Sequence, residues 1–347
     1  MNSPKLLLGA GAALAVVALA WYFGPRIEVP AYATDLPDVP ADAAGLEAYV
    51  ADRETGQPLR PNNGARVVWA DPARNRTEYA FVYLHGFAGS YRDGFPVNVN
   101  MPAIFGANAY LARWAGHGLT AEAALRDFTP EAAWADARRA LAIGRRLGRK
   151  VIILSTSTGG TLALKLAATF PDDVHALINI GPNVEDDQPG ASVLMSPWGH
   201  ELAMLASFGT NKKVSQKEPG AAQYFDTIYP SSALVNLQIL VQTTMQDTTF
   251  AAVSCPVATV YYQKNYFQKD QHVEVSRYPE VHAAFATPAA EQRLLPLPTP
   301  ETHFVASDIK SADWRTPQQV MVAFCTEVLG MVPLRPVDYV ADASRFE

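Results

Sequence analysis

Val151-Ile152-Ile153-Leu154-Ser155-Thr156-Ser157-Thr158-Gly159-Gly160 decides the reading of the fold. Its first four residues are branched and apolar and read as a short buried strand. Residues 161–168, behind the small residues, read as a helix. A strand that turns at once into a helix, with a serine at the turn and glycines just after it, has the layout of a nucleophile elbow. The turn lifts the central side chain, Ser157, off its own backbone, and bulk at Ser155 or Gly159 would clash across it. The helix N-terminus at Thr158 presents free N–H groups where negative charge would develop. The usual pattern is G-x-S-x-G, and here Ser155 replaces the first glycine. Taken alone, the stretch also fits a Ser/Thr-rich strand-to-helix loop without chemistry.

Upstream, residues 65–70 and 79–84 read as strands on either side of a polar turn. The second runs straight into His85-Gly86-Phe87-Ala88-Gly89-Ser90. Glycines after a strand let the backbone bend close to a ligand. In a serine hydrolase this loop supplies the second oxyanion donor, which here is the N–H of Phe87, paired with that of Thr158. His85 reads as a structural histidine that pins the loop. Residues 108–114 form a further expected strand, ending in Ala115-Gly116-His117-Gly118. His117 precedes the serine in the chain and its Gly-His-Gly turn suits a structural role. Pro130 then opens an amphipathic helix with Ala133, Trp134, Ala137, Ala140, Leu141 and Leu147 at helical spacing, stopped by Gly148.

Downstream, residues 174–180 and 257–262 read as buried strands, 292–297 as a last strand and 316–329 as a last helix. Strands alternating with helices predict a mostly parallel sheet of β-α-β units. Residues 183–250 break this rhythm. They read as an inserted helical cap, whose apolar residues, Trp198, Phe208 and Tyr229 among them, either line an acyl pocket or pack the cap onto the sheet. The expected organisation is an anchor or signal segment over 1–24, a linker over 25–64 and a core in two parts, 65–182 and 251–330. The cap over 183–250 lies between those parts, and a tail over 331–347 follows.

A serine hydroxyl needs a histidine to take its proton and a carboxylate to orient that histidine. On an α/β sheet the chain order is Ser, then acid, then His. Asp270 is the carboxylate of the loop after strand 257–262, with Glu274 as fallback; Asp270 also suits a helix N-cap. His303 lies between the last strand and the last helix, where the base belongs. His272, beside the acid, reads as exposed, and His282 as a surface or packing residue.

The formal net charge of −6 offers no basic stripe and argues against nucleic acid. The scattered histidines give no metal-ligand spacing, so neither metal nor cofactor is expected. Cys255 and Cys325 read as free thiols or as one disulfide. Residues 6–23 carry no charge over 18 positions, the lower limit for a membrane span, with Trp21 and Tyr22 at the far end and Lys5 at the near one. This predicts a membrane anchor with the body outside the cytoplasm, facing a periplasm or the cell surface. Ala18-Leu19-Ala20 resembles a cleavage site, so a removed signal peptide and secretion is the rival, and a buried core helix the third reading.

Together, His85-Gly86-Phe87, Trp114-Ala115-Gly116-His117-Gly118, the helix with Trp134 and Asp136, Ser155-x-Ser157-x-Gly159-Gly160, Asp270-x-x-Val273 and Thr302-His303-Phe304 resemble the α/β-hydrolase superfamily, of monoacylglycerol lipase or lysophospholipase type. The resemblance spans about residues 66–330. It implies an α/β-hydrolase fold and a serine esterase with Ser157, Asp270 and His303 as triad. The expected substrate is a small-molecule or lipid ester, and the apolar N-terminal segment, by placing the body near lipid, favours an acylglycerol or a lysophospholipid. The rivals are an acyltransferase or peptidase on the same triad, and a membrane-anchored binding protein that kept the fold without the chemistry.

Overall fold

Strands that are apolar on both faces must be covered on both, and a parallel sheet between two helical layers does this. The computed structural model describes residues 4–185, 194 and 196–342. Its strands are β1 (Arg66–Val68), β2 (Thr77–Leu84), β3 (Asn108–Leu111), β4 (Gly148–Thr156), β5 (Ala176–Ile180), β6 (Asn211–Lys213), β7 (Ile228–Pro230), β8 (Val257–Tyr262) and β9 (Gln292–Leu297). Seven of them form one sheet in the order β1-β3-β2-β4-β5-β8-β9, in which β1 alone is antiparallel. The helices are α1 (Pro4–Tyr22), α2 (Ala43–Glu54), α3 (Val97–Ile104), α4 (Pro130–Leu147), α5 (Thr158–Thr169), α6 (Gly199–Ser207), α7 (Ala221–Tyr224), α8 (Ser232–Thr244), α9 (Asp247–Ala252), α10 (Tyr278–Ala284) and α11 (Arg315–Glu327).

Alternation along β4 builds two cores. Val151 and Ile153 join Val82, Trp134 and Leu162 on one face, while Ile152 and Leu154 join Phe81, Met101 and Phe324 on the other. Each such fully buried side chain contributes about 1.5–3 kcal/mol. Helix α4 begins where Thr129 accepts a hydrogen bond from the N–H of Ala132 and Pro130 fills the first turn. The β2–β4 register pairs Leu84 with Ser155, so the loop after β2 lands beside the elbow after β4.

The structure departs from the sequence reading in several places. The expected linker packs onto the body: Leu46 and Val50 of α2 are buried, and the indole N–H of Trp134 donates to the carbonyl of Ala33. The cap is not wholly helical, because Asn211–Lys213 and Ile228–Pro230 pair as an antiparallel hairpin. Cys255 and Cys325, by contrast, are free thiols, the first of the two readings of the sequence. Residues 1–3 of the expected anchor, 186–193 and Met195 of the cap and 343–347 of the tail lie outside the described residues.

The N-terminal stretch forms α1, but among the described residues no helix is long and apolar enough to cross a membrane, so the structure does not show the expected anchor. Nineteen residues rise about 28 Å, slightly less than a hydrocarbon core of about 30 Å. Trp198, just before α6, ties this segment to the cap. Its indole Nε1 donates to the carbonyl of Ala20 and its backbone N–H to that of Pro25, each at 2.8 Å.

Candidate active site

Ser157 sits where β4 meets α5, at φ +55° and ψ −119°. A non-glycine residue at such a φ is strained by about 1–3 kcal/mol. Three hydrogen bonds hold the turn: Ser157 N–H to Ile180 O, and Asn183 N–H and Gly160 N–H to Ser157 O. A Cβ on Gly159 would lie 2.0 Å from the carbonyl oxygen of Leu84, and one on Gly160 2.5 Å from Pro182. Both glycines are therefore demanded by close packing. The serine at position 155 has its own reason, since its hydroxyl donates to Asn179 Oδ1 on β5 at 2.7 Å.

The loop after β8 carries Asp270 and the loop after β9 carries His303, and the parallel β8–β9 pairing brings them together. His303 Nδ1 and Asp270 Oδ2 are 2.6 Å apart, and both side chains are almost wholly buried. Burial alone would raise the Asp270 carboxyl. The charge interaction with His303 and the hydrogen bonds from His272 and His303 outweigh it and hold the group well below the usual range. Gly181, at φ +48°, lies beneath the pair: a Cβ there would be 3.2 Å from His303 Nδ1 and 3.3 Å from Asp270 Oδ2. His303 Nε2 is buried and has no partner among the described residues. With Nδ1 turned to the carboxylate, Nε2 is the nitrogen left for a proton.

Ser157, His303, Phe87 and Thr158 line one cavity of about 770 Å³ beneath the cap. The carbonyl of Gly86 is held by His85 Nδ1 at 2.8 Å and by the Gly89 N–H at 3.2 Å. That carbonyl shares its peptide plane with the Phe87 N–H, which therefore points the opposite way. Among the described residues neither the Phe87 nor the Thr158 N–H has another acceptor. His85 and His117 are buried in an aromatic cluster with Trp114, as structural residues would be. Burial lowers His85 to about 4 and His117 well below its ordinary value.

Of the other sequence candidates, Glu274 and His282 lie outside the cavity and His272 lines it. Glu274 accepts from the Ser276 N–H and Lys269 Nζ and caps a short turn. His282 is buried, not at the surface, between Gln292 and Thr259. His272 is exposed, but its ring stacks on His303 at 4.9 Å and its N–H donates to Asp270 Oδ1. Sequence reading missed that stack. Asp270, His272 and His303 form a compact group, one donor atom of each lying within 4.8 Å of the others, and in it His303 Nδ1 is engaged with Asp270.

A model of the alpha/beta hydrolase family matches residues 81–343. The chain belongs to that family. No protein with a curated description matches this alpha/beta hydrolase. A structure of the metagenome-derived lipolytic enzymes LipS and LipT is similar to it at 17% identity and a TM-score of 0.62, over 78% of this chain and 99% of that one. A soluble variant of monoglyceride lipase from Saccharomyces cerevisiae, in complex with a substrate analog, is similar at 10% identity and a TM-score of 0.57, over 76% and 90%. At these identities the likeness is one of fold.

Proposed function

We propose that this alpha/beta hydrolase cleaves carboxylic esters by an acyl-enzyme route. Ser157 Oγ attacks the ester carbonyl while His303 Nε2 takes its proton. Asp270 fixes the imidazole and stabilises its cation. The oxyanion settles on the N–H groups of Phe87 and Thr158. His303 then gives its proton to the leaving alcohol, and water, deprotonated by the same histidine, frees the acid. The observation that carries this reading is the His303–Asp270 pair, with its outer nitrogen unpartnered in the cavity that a strained serine also lines.

The cavity wall supports a lipid-like substrate such as an acylglycerol or lysophospholipid. Leu194, Leu234 and Leu237 suit an acyl chain. Asn183 Oδ1, Asp226 Oδ2 and Gln238 Nε2 are buried in the same wall with no partner among the described residues. Two acceptors and a donor suit a hydroxylated head, and a site built for hydroxyls discriminates strongly against an analogue lacking them. Placement of the body outside the cytoplasm is a companion proposal carried by the apolar N-terminal sequence.

The test is fluorophosphonate labelling of the wild type and Ser157→Ala, with mass mapping of the adduct. Labelling at Ser157, lost in the variant together with ester turnover, is expected; folded wild-type protein that does not label would sink the reading. In the same assay, 2,3-dihydroxypropyl butyrate should be turned over faster than propyl butyrate, and Gln238→Leu should narrow that ratio.

A further inference from the structure

Asp93 is a buried carboxylic acid that the triad chemistry leaves unused. It lies in the turn after the Gly86 loop and is fully buried. Among the described residues no cationic side chain pairs with it. A buried carboxyl without a cation is unfavourable, and packing alone would be better served by an apolar residue. Its partners account for its presence. Oδ2 accepts the N–H of Gly86 at 2.6 Å, and Oδ1 accepts the hydroxyl of Tyr83. Tyr83 Oη in turn lies 2.8 Å from Thr156 Oγ1, on the residue immediately before the nucleophile. Space is tight throughout: a Cβ on Gly86 would come within 3.1 Å of Asp93 Oδ2 and 3.2 Å of Ser157 Cβ.

The Asp93 carboxyl therefore touches, directly or through one phenol, both segments that present oxyanion donors. One is the loop that ends in the Phe87 N–H. The other is the strand end that leads through Ser157 to the Thr158 N–H. We propose that Asp93 is a positioning residue that sets the spacing of the two oxyanion-hole donors by clamping Gly86 and, through Tyr83, Thr156. This rests on the ester-hydrolase reading of Ser157. It assigns Asp93 no contact with substrate, so its influence falls on the transition state, where charge develops on the carbonyl oxygen, and not on ground-state binding.

The experiment compares wild type, Asp93→Asn and Tyr83→Phe as full chains. It measures kcat per fluorophosphonate-reactive serine, KM, melting temperature and affinity for butylboronic acid, whose tetrahedral adduct with serine places an oxygen in the hole. Asp93→Asn turns an amide into one of the two contacts and misplaces a donor; an ångström-scale misplacement costs about a hundredfold. The expected result is a fall of about that size in kcat and in boronate affinity, with KM within about threefold. Tyr83→Phe keeps the acceptor for Gly86 and should lose less, about tenfold. If Asp93→Asn does not fold, Tyr83→Phe decides. Either folded variant with wild-type kcat per reactive serine and wild-type boronate affinity overturns the proposal, as does a loss carried by KM. Retained turnover in Ser157→Ala would instead remove the hydrolase reading beneath it.

Discussion

Gly181 shows how much of the site depends on a missing side chain. Its φ of +48° is the region where only glycine is relaxed, and the space above it is taken by His303 and Asp270. A methyl group would have to push the imidazole away from the carboxylate. Gly181→Ala is expected to lower kcat by about ten- to a hundredfold and to lower the melting temperature by a few degrees. Steady-state kinetics beside a thermal scan would check this, and unchanged kcat would mean that the pair tolerates the displacement. At this scale the sequence was legible where chain order constrains chemistry. Ser157, Asp270 and His303 stand in the order that the fold demands; Ser157 and His303 line one cavity, and Asp270 lies behind His303, 2.6 Å from its Nδ1. Asp93 was not legible, because its partners are a main-chain N–H and a phenol, which leave no spacing signal. Asn183, Asp226 and Gln238 were hidden for a related reason: nothing local marks a polar side chain as facing a cavity.

The parallel strands were the easiest elements to read. A strand covered on both faces is a run of Val, Ile, Leu and Tyr, as in β8, Val257–Tyr262, whose observed limits match those expected; the half-buried edge strand β9, Gln292–Leu297, matches its expected limits too. The cap hairpin escaped because β6 is exposed throughout and only three residues long, so no alternation marks it. Helix α10 carries His282, whose ring joins it to the β8 and β9 edge through Thr259 and Gln292. Burial lowers its pKa to about 4, against a smaller upward pull from Gln292. The unfolded chain takes up this proton near pH 6.5, whereas the folded chain resists until about 4. Its contribution to stability is thus complete above about pH 6.5 and lost as pH falls toward 4. Asp93 and Asp226, both raised to about 7 by burial, act with the opposite sign, so the residue must be isolated by difference. Urea unfolding at pH 7 and pH 4.5 should show the wild type losing on the order of 1–3 kcal/mol more than His282→Gln. Equal losses would mean that the ring titrates normally in the folded protein.

At the scale of the whole molecule, a sheet between two helical layers carries the candidate site and the cap covers it. Body and cap are joined by the Arg60–Asp226 pair, 2.6 Å between Nη2 and Oδ1 with the carboxylate buried, and by the Asp226 N–H, which donates to the carbonyl of Ala88 beside Phe87. The second join, at Trp198, has a mechanical consequence. The indole grips the carbonyl of Ala20 and leaves no room for a side chain at Gly24, so the first helix and α6 are tied at this point. If α6 had to swing to admit a substrate, the N-terminal helix would have to follow it. A load hung on that helix is then a brake on the entrance. Protein captured on beads by its N-terminus should turn over a bulky ester more slowly than protein captured by its C-terminus, while a small ester that needs no swing should feel no difference.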